Sequence, residues 1–333
     1  MTLEFDIRMP TAWGGPRVSA GFRVTPEDFQ VDEILGFEPE GEGEHWLVQV
    51  RKRGDNTAWV AGQLARCAGV TSRDVGYCGL KDRHAVTTQW FSIYQPKAVE
   101  PDWTALEQTG PTVLSCSRHS RKLRRGQHQA NHFVIRLRDV QALEDGALER
   151  LEQTLARVAE QGAPNYFGGQ RFGRDAGNLQ QAQRWLVDGA RIKNRQQRGM
   201  VMSAARSWLF NQVLAERVRE DTWLECLAGE PQDEPSGPLW GRGRLMSDAQ
   251  TAQLESRVLA PWKAWCDGLE HVGLNQERRA LALNPQGLAW HWEQGDLVLS
   301  FALPPGTFAT ALLAELAQLD TTQMEAAQGA TVL

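Results

Sequence analysis

Leu297-Val298-Leu299-Ser300-Phe301-Ala302-Leu303 reads as a strand close to the C-terminal end of the chain. With Leu288–Trp292 (LAWHW) it brings strand texture back after a long helical stretch, and that return decides the fold. Toward the N-terminus the texture is helical from about Leu143. Leu148, Leu151, Leu155 and Val158 mark one face, and further helices are expected near 177–189, 202–219 and 250–270. A Gly-, Pro- and acid-rich loop, Gly229 to Gly243, separates the last two. Earlier still the chain reads mostly as strand: Phe22–Val24, Phe29–Ile34, Trp46–Val50, Val75–Cys78, Val86–Tyr94 and Asn131–Leu137. One helix interrupts these, capped by Asn56 and running to about Ala68 with Val60, Leu64 and Cys67 on one side. After Leu303 come a Pro-Pro-Gly turn and a helix expected over Ala309–Leu319. Strand, then helix, then strand again describes an α+β domain carrying an insertion; two tandem domains are the other arrangement.

Composition sets the outer limits. A chain of 333 residues fits two domains, or one with a large insertion. With 41% hydrophobic and 23% charged residues it has the make-up of an ordinary soluble globular protein. Thirteen Trp residues point chiefly to core packing, with a few available as base-stacking platforms. The net charge of -5 argues against a general nucleic-acid binder, but the basic residues are 30 Arg against 6 Lys. Arg suits bidentate and stacked contacts to phosphates and bases, and equally suits structural ion pairs. Five Cys with no CxxC spacing suggest neither a disulfide framework nor a zinc site, and fit reduced thiols in the cytoplasm. MTLEFDIR at the start lacks the pattern of a signal peptide, and no apolar run approaches a membrane span.

The stretch richest in chemistry is Gly79-Leu80-Lys81-Asp82-Arg83-His84-Ala85, a polar loop between two strands. Asp82 lies between cations, and contact with either would lower its pKa and keep it ionised, as a nucleophile or base requires. Charge-rich turns are also common, so a solvated turn is the competing reading. Asn131 could read a base edge, and Phe133, two residues on along the same strand face, could stack on that base. Phe133 could equally be core and Asn131 a turn cap. Arg118, Arg121, Lys122, Arg124 and Arg125 form the densest basic run, a phosphate footprint or a solvated face. A second basic cluster is Arg191, Lys193, Arg195 and Arg198; two separate clusters on an acidic chain suggest a localised binding surface. No GxGxxG, Walker or HExxH pattern occurs, and His128 and His132 run from a loop into a strand rather than along a helix face, so no cofactor or metal is expected.

FRVTPEDFQVDEI (Phe22–Ile34), GLKDRHAVTTQW (Gly79–Trp90), ANHF (Ala130–Phe133), PNYFGGQRFG (Pro164–Gly173), SAARSWLFNQVLAERV (Ser203–Val218) and LPPGTFAT (Leu303–Thr310) carry more. In this order they resemble the tRNA pseudouridine synthase D (TruD) family, over nearly the whole chain. The resemblance implies a catalytic domain on a mixed, mostly antiparallel sheet, taken here as 1–156 and 284–333, with a mainly helical TRUD domain inserted at 157–283. It implies that Asp82 is the catalytic aspartate. Phe133 falls where other pseudouridine synthases usually place a Tyr that stacks on the target uracil. Asn131, Phe29 and Phe308 fall on positions lining the substrate pocket, and Arg23 on a basic position, commonly Lys, that can pair with the catalytic carboxylate. Lys81 is a further supporting cation, and Arg121, Lys122, Arg124 and Arg125 would meet the tRNA backbone. Two departures touch the surroundings: Ala130 replaces a frequent Gly, and Ala314-Glu315 an Arg-Glu.

The activity so implied is isomerisation of uridine to pseudouridine in tRNA, at uridine 13 of the D stem, best known for glutamate tRNA, by a cytoplasmic monomer without cofactor or membrane partner. Two other readings stay open: a non-catalytic RNA-binding or RNA-folding protein on the same scaffold, and a nucleoside hydrolase. The second lacks the paired carboxylates that most glycosidases use.

Overall fold

In the computed structural model, which describes residues 4–97 and 99–321, the chain divides into two compact units. One is built around a sheet and takes Val18–Ala147, Pro285–Gly306 and the chain from Gln318. The other is mainly helical and takes the N-terminal segment to Arg17, Leu148–Asn284 and Thr307–Ala317.

The sheet unit begins with β1 (Val18–Phe22), β2 (Phe29–Ile34), β3 (His45–Arg53) and α1 (Thr57–Cys67). It continues with β4 (Val75–Tyr77), β5 (Val86–Tyr94), α2 (Thr104–Glu107), β6 (Thr112–His119) and β7 (Ala130–Ala142). The helical unit carries most of α3 (Ala147–Gln161), then β8 (Ala163–Pro164), α4 (Gly177–Leu186), α5 (Arg195–Arg219) and β9 (Ser236–Leu239). After these come α6 (Ala249–Leu259), α7 (Lys263–Leu269), β10 (Glu277–Ala280) and β11 (Ala282–Leu283). The chain then returns to the sheet with β12 (Gln286–Glu293) and β13 (Asp296–Leu303), gives α8 (Ala309–Leu316) to the helical unit, and ends the described part with β14 (Gln318–Asp320).

The ten-stranded sheet runs β12-β13-β7-β2-β5-β3-β6, with β1 beside β7, β14 on β1, and β4 on β5. Among the described residues only β2·β5 and β1·β14 pair in parallel, so the sheet is mixed and mostly antiparallel, within an α+β fold. The strands at its centre are buried on both faces. Trp46, Val48 and Val50 of β3 pack with Phe91 and Ile93 of β5 under Val60 and Leu64 of α1, while Leu47 faces the other way, toward Leu35, Cys78 and Leu123. Register fixes the site: Val31 lies opposite Phe133 and Glu33 opposite Asn131. Directly opposed side chains share a face, so Phe29, Glu33, Asn131 and Phe133 look the same way.

Several boundaries depart from the sequence reading. Phe22-Arg23-Val24 is not a strand: β1 ends at Phe22, and Arg23 has φ +56°, in the left-handed region. The helix expected over 250–270 is two, because Pro261 lacks the N–H that would continue the ladder and leaves a short 3₁₀ turn, Ala260–Trp262. The helix expected to Leu319 stops at Leu316, and Gln318–Asp320 pairs with β1. In α3, Leu151, Leu155 and Val158 are buried, but Leu148 in the first turn is exposed. Of the thirteen Trp, Trp46, Trp103, Trp208, Trp223 and Trp265 are buried, and only Trp59 and Trp292 are exposed. No helix among the described residues is long and apolar enough to cross a membrane.

Candidate active site

Gly79–Ala85 is a loop joining the antiparallel strands β4 and β5. Neutral side chains hold it at two points. Gln89 Nε2 donates to the Gly79 carbonyl at 2.5 Å, and the Lys81 N–H donates to Thr57 Oγ1 at 3.0 Å. Thr57 opens α1 and itself donates to Gln89 Oε1 at 3.0 Å, so helix, strand and loop share one buried network. Asn56 occupies the N-cap position of α1, but its side chain makes no capping hydrogen bond.

Asp82, on this loop, meets Arg23: Nη2 to Oδ2 is 3.1 Å. The Arg23 side chain is 7% exposed and that of Asp82 is 42% exposed. The left-handed turn at Arg23 lays its guanidinium over the Phe29 ring, 3.9 Å from the centroid, with Phe22 5.0 Å away on the strand just before. A charged group over an aromatic face gains roughly 0.5–2 kcal/mol, which helps a buried cation stay put. Burial pushes the Arg23 pKa down, and the Asp82 charge pulls it back. A non-glycine residue at positive φ costs energy that the surrounding contacts must offset, and such residues cluster at functional sites.

The two cations that flank Asp82 go elsewhere, and Arg83 Nε donates to the Gly54 carbonyl at 3.2 Å. Lys81 turns inward to Glu33 Oε2 at 2.6 Å and to Asn131 Oδ1 at 2.8 Å. Glu33 is enclosed, also accepts from the Trp90 N–H at 3.2 Å, and has its pKa raised by burial against the pull of Lys81. Asn131 Nδ2 faces His128 Nε2 at 3.1 Å. His128 is pushed down to about 4, first by burial and then by the Lys81 charge, so it is neutral and accepts that bond. His132 pairs with Ser300 Oγ at 3.0 Å. Among the described residues no group of three or more side chains is arranged to hold a metal.

The aromatic residues form a chain on the sheet. Phe29 and Phe133 meet edge to face at 5.9 Å, and Phe133 stacks on Phe301 at 5.5 Å. Phe29 is enclosed beneath Arg23, and Phe133 is 8% exposed. Phe308 is in the helical unit, just before α8, grouped there with Phe167 at 5.8 Å and the guanidinium groups of Arg171 and Arg279.

The basic run begins in β6 at Arg118, and the part after the strand is docked on β4. A Cβ on Gly76 would lie 2.5 Å from the Leu123 carbonyl, so only glycine admits this loop so close. Leu123 N–H donates to Ser92 Oγ at 2.9 Å, and Lys122 Nζ donates to the Arg73 carbonyl. Arg121, Lys122, Arg124 and Arg125 stay exposed. Arg118 is structural, stacked 4.6 Å from the Trp46 ring and donating to the Gln95 carbonyl. Arg191, Lys193, Arg195 and Arg198 are exposed at and before the start of α5, in the helical unit.

The structure therefore joins Asp82, Arg23, Phe29 and Phe133, and separately Lys81 and Asn131, in the sheet unit. Sequence reasoning did not single out Glu33, Thr57, Gln89 or Lys52. Lys52 is 1% exposed and donates from Nζ to the carbonyls of Asp55 at 2.7 Å and Asp82 at 3.2 Å. The FQVDEI strand signal could have pointed to Glu33, a charge on the apolar face of an alternating strand.

Known proteins resemble this chain over most of its length. A family profile described as tRNA pseudouridine synthase D (TruD) matches residues 11–194. A "tRNA pseudouridine synthase D" of Cellvibrio japonicus (strain Ueda107) is 51% identical over 326 residues, covering 96% of this chain and 96% of its own. One of Aeromonas hydrophila is 44% identical over 333 residues, covering 92% and 93%. The crystal structure of a putative tRNA pseudouridine synthase D from Methanosarcina mazei superposes with a TM-score of 0.69 over 95% of this chain and 97% of that one; at 19% identity the likeness is one of fold.

Proposed function

The chain belongs to the tRNA pseudouridine synthase D family, and from that premise we propose that it isomerises a uridine of tRNA to pseudouridine with Asp82 as the reacting carboxylate. The target is uridine 13 in the D stem, best known for glutamate tRNA. The N1–C1′ bond breaks, the uracil turns, and C5 joins C1′; the C5 proton leaves and N1 gains one, so the product is an isomer. Asp82 either attacks C1′ to form a covalent intermediate or removes the 2′ proton to give a glycal. The observation that carries the reading is the Arg23–Asp82 pair. Its cation is enclosed and its carboxylate open, and of the two carboxylate oxygens of Asp82 only Oδ2 is hydrogen-bonded among the described residues.

The remaining residues take supporting parts. Phe133 offers a ring face to the uracil, and stacking of this kind returns roughly 1–3 kcal/mol toward the few that extrusion of a base costs. Asn131 has one amide N–H left for a base edge once Lys81 and His128 are served. Phe29 supports Arg23 from below, and Phe308 contributes to binding from the helical unit, which we read as the inserted TRUD domain. Arg121, Lys122, Arg124 and Arg125 hold tRNA phosphates, so affinity falls steeply with salt.

The test is tritium release from C5-labelled uridine in tRNA by wild type and Asp82→Asn side by side. Release by wild type alone, with tRNA still bound by the variant, supports the proposal. Equal release removes Asp82 from the reaction, and no release from a wild type that binds tRNA tightly turns the case to a non-catalytic RNA-binding protein.

A further inference from the structure

Lys52 has no part in the reaction as drawn, yet its side chain is among the most enclosed in the sheet unit, at 1% exposure. Lysine is almost never fully buried without a partner, because its charge is costly to remove from water. No carboxylate pairs with it among the described residues; its Nζ donates instead to two main-chain carbonyls, those of Asp55 and Asp82. We propose that Lys52 is a positioning residue for Asp82: it fastens the main chain of the reactive loop to β3, so that the carboxylate stays aligned with Arg23 and with the substrate. The inference rests on Asp82 being the reacting group.

Beside the main-chain bond from the Gly54 N–H to the Ala85 carbonyl, three side chains anchor the main chain of the loop, and they differ in kind. At Gly79 and Lys81 the partners are the neutral side chains of Gln89 and Thr57. At Asp82 itself the donor is an ammonium group, and charge-assisted hydrogen bonds are roughly twice as strong as neutral ones. Lys52 lies opposite Thr87 on β5, the strand into which the loop runs, so the tether joins the loop to a rigid part of the sheet. Packing alone would be met by an apolar side chain of the same length, which makes the choice of a buried lysine informative.

The charges facing Lys52 are those of Asp55 and Asp82, which favour its protonated form, and Lys81, which opposes it. Arg83 acts on Asp55, and Arg23 on Asp82. Burial outweighs these and pushes Lys52 down to about 8. It is thus charged at neutral pH and loses its proton in mildly alkaline solution. The neutral amine keeps its donors but not the added strength of the charge.

The experiment measures kcat and KM for tRNA with full-length wild type, Lys52→Met and Lys52→Arg between about pH 7 and pH 9.5, a range that brackets the lowered value. Folded fraction is fixed by circular dichroism. At pH 7, Lys52→Met is expected to lose on the order of 10²-fold in kcat, the usual cost of a small misplacement of a reacting group, with KM within about twofold. The wild-type to Lys52→Met ratio should shrink as pH passes about 8, and titration of the uridine cancels in that ratio. Lys52→Arg stays protonated throughout, recovers part of the kcat at pH 7, and lacks the alkaline loss. The proposal is overturned if Lys52→Met keeps kcat within about twofold per folded molecule, or if its ratio to wild type does not change with pH. If Lys52→Met does not fold, the wild-type to Lys52→Arg ratio decides, and a ratio independent of pH overturns the proposal. An inactive Asp82→Asn alongside a fully active Lys52→Met would sink the tether and leave the site reading intact.

Discussion

Two sets of buried charge, one from each unit, are closed to different degrees. In the helical unit Arg217, Glu230, Arg278 and Glu255 form a closed set whose side chains are all 1–3% exposed. Arg217 meets Glu230 at 2.8 Å, Arg278 meets Glu230 at 3.3 Å, and Arg278 meets Glu255 at 2.6 Å. Ser236 and Ser247 supply further hydrogen bonds to the two carboxylates. In the sheet unit the enclosed Arg23 faces an Asp82 that is 42% exposed. Two cations and two anions that satisfy one another internally can hold α5, α6, β10 and the acidic loop together, but offer nothing to a ligand. A pair with one open member can take part in chemistry, because the enclosed partner fixes the charge while the open one meets substrate.

That contrast is most directly broken by mutation. Glu230→Gln leaves Arg217 and Arg278 buried without their shared carboxylate, and removing one partner from a buried pair costs about 3–5 kcal/mol. Chemical denaturation should show that loss, while kcat per folded molecule stays within about twofold of wild type. A large fall in kcat without loss of stability would mean that the closed network also serves the site. Arg23 should behave the other way round. Arg23→Met removes a hydrogen bond to a charged group worth roughly 1.5–3 kcal/mol, so tritium release should slow by about 10–10²-fold. Arg23→Lys keeps the charge but not the planar stacking on Phe29 and should lose less. Equal losses in Met and Lys variants would show that guanidinium shape, not charge, is what Asp82 needs.

The sequence made the architecture legible where the signal is local. β2 and β5 are found at Phe29–Ile34 and Val86–Tyr94, as their runs of strand-forming residues indicate. It failed where distant contacts decide. Nothing near Arg23 announces a left-handed residue, a conformation that usually calls for Gly or Asn; contacts with Asp82 and Phe29, remote in sequence, accompany it here. Gln318–Asp320 becomes a strand only because β1 lies beside it. The same holds at the site. Asp82 stands out because it lies between Lys81 and Arg83, either of which could meet it, and the family resemblance adds Arg23. Geometry sends Lys81 to Glu33 and Arg23 to Asp82. Glu33 and Lys52 gain their significance from burial and cross-strand register, which spacing along the chain does not encode.

The smallest expected effect tests the inner layer of the site, the line from Glu33 through Lys81 and Asn131 to His128. Lys81 donates to Asn131 Oδ1, which leaves the amide nitrogen as donor and His128 Nε2 as acceptor; the imidazole must then be neutral. Its folded pKa of about 4 lies below the ordinary 6.5. Between those values the unfolded chain binds a proton that the folded chain does not, so this contribution to stability rises with pH across the window and is lost on acidification. His128→Gln keeps an acceptor in place and removes the titration. The wild-type melting temperature should therefore fall more steeply than the variant's from pH 7 to pH 5, by an extra amount on the order of a few °C. Burial raises the pKa of Glu33, Asp55 and Glu315, so their contributions run in the opposite direction, but they are common to both proteins and drop out of the difference. Parallel curves would mean that His128 does not accept from Asn131, that the amide is turned the other way, and that Lys81 is held by Glu33 alone.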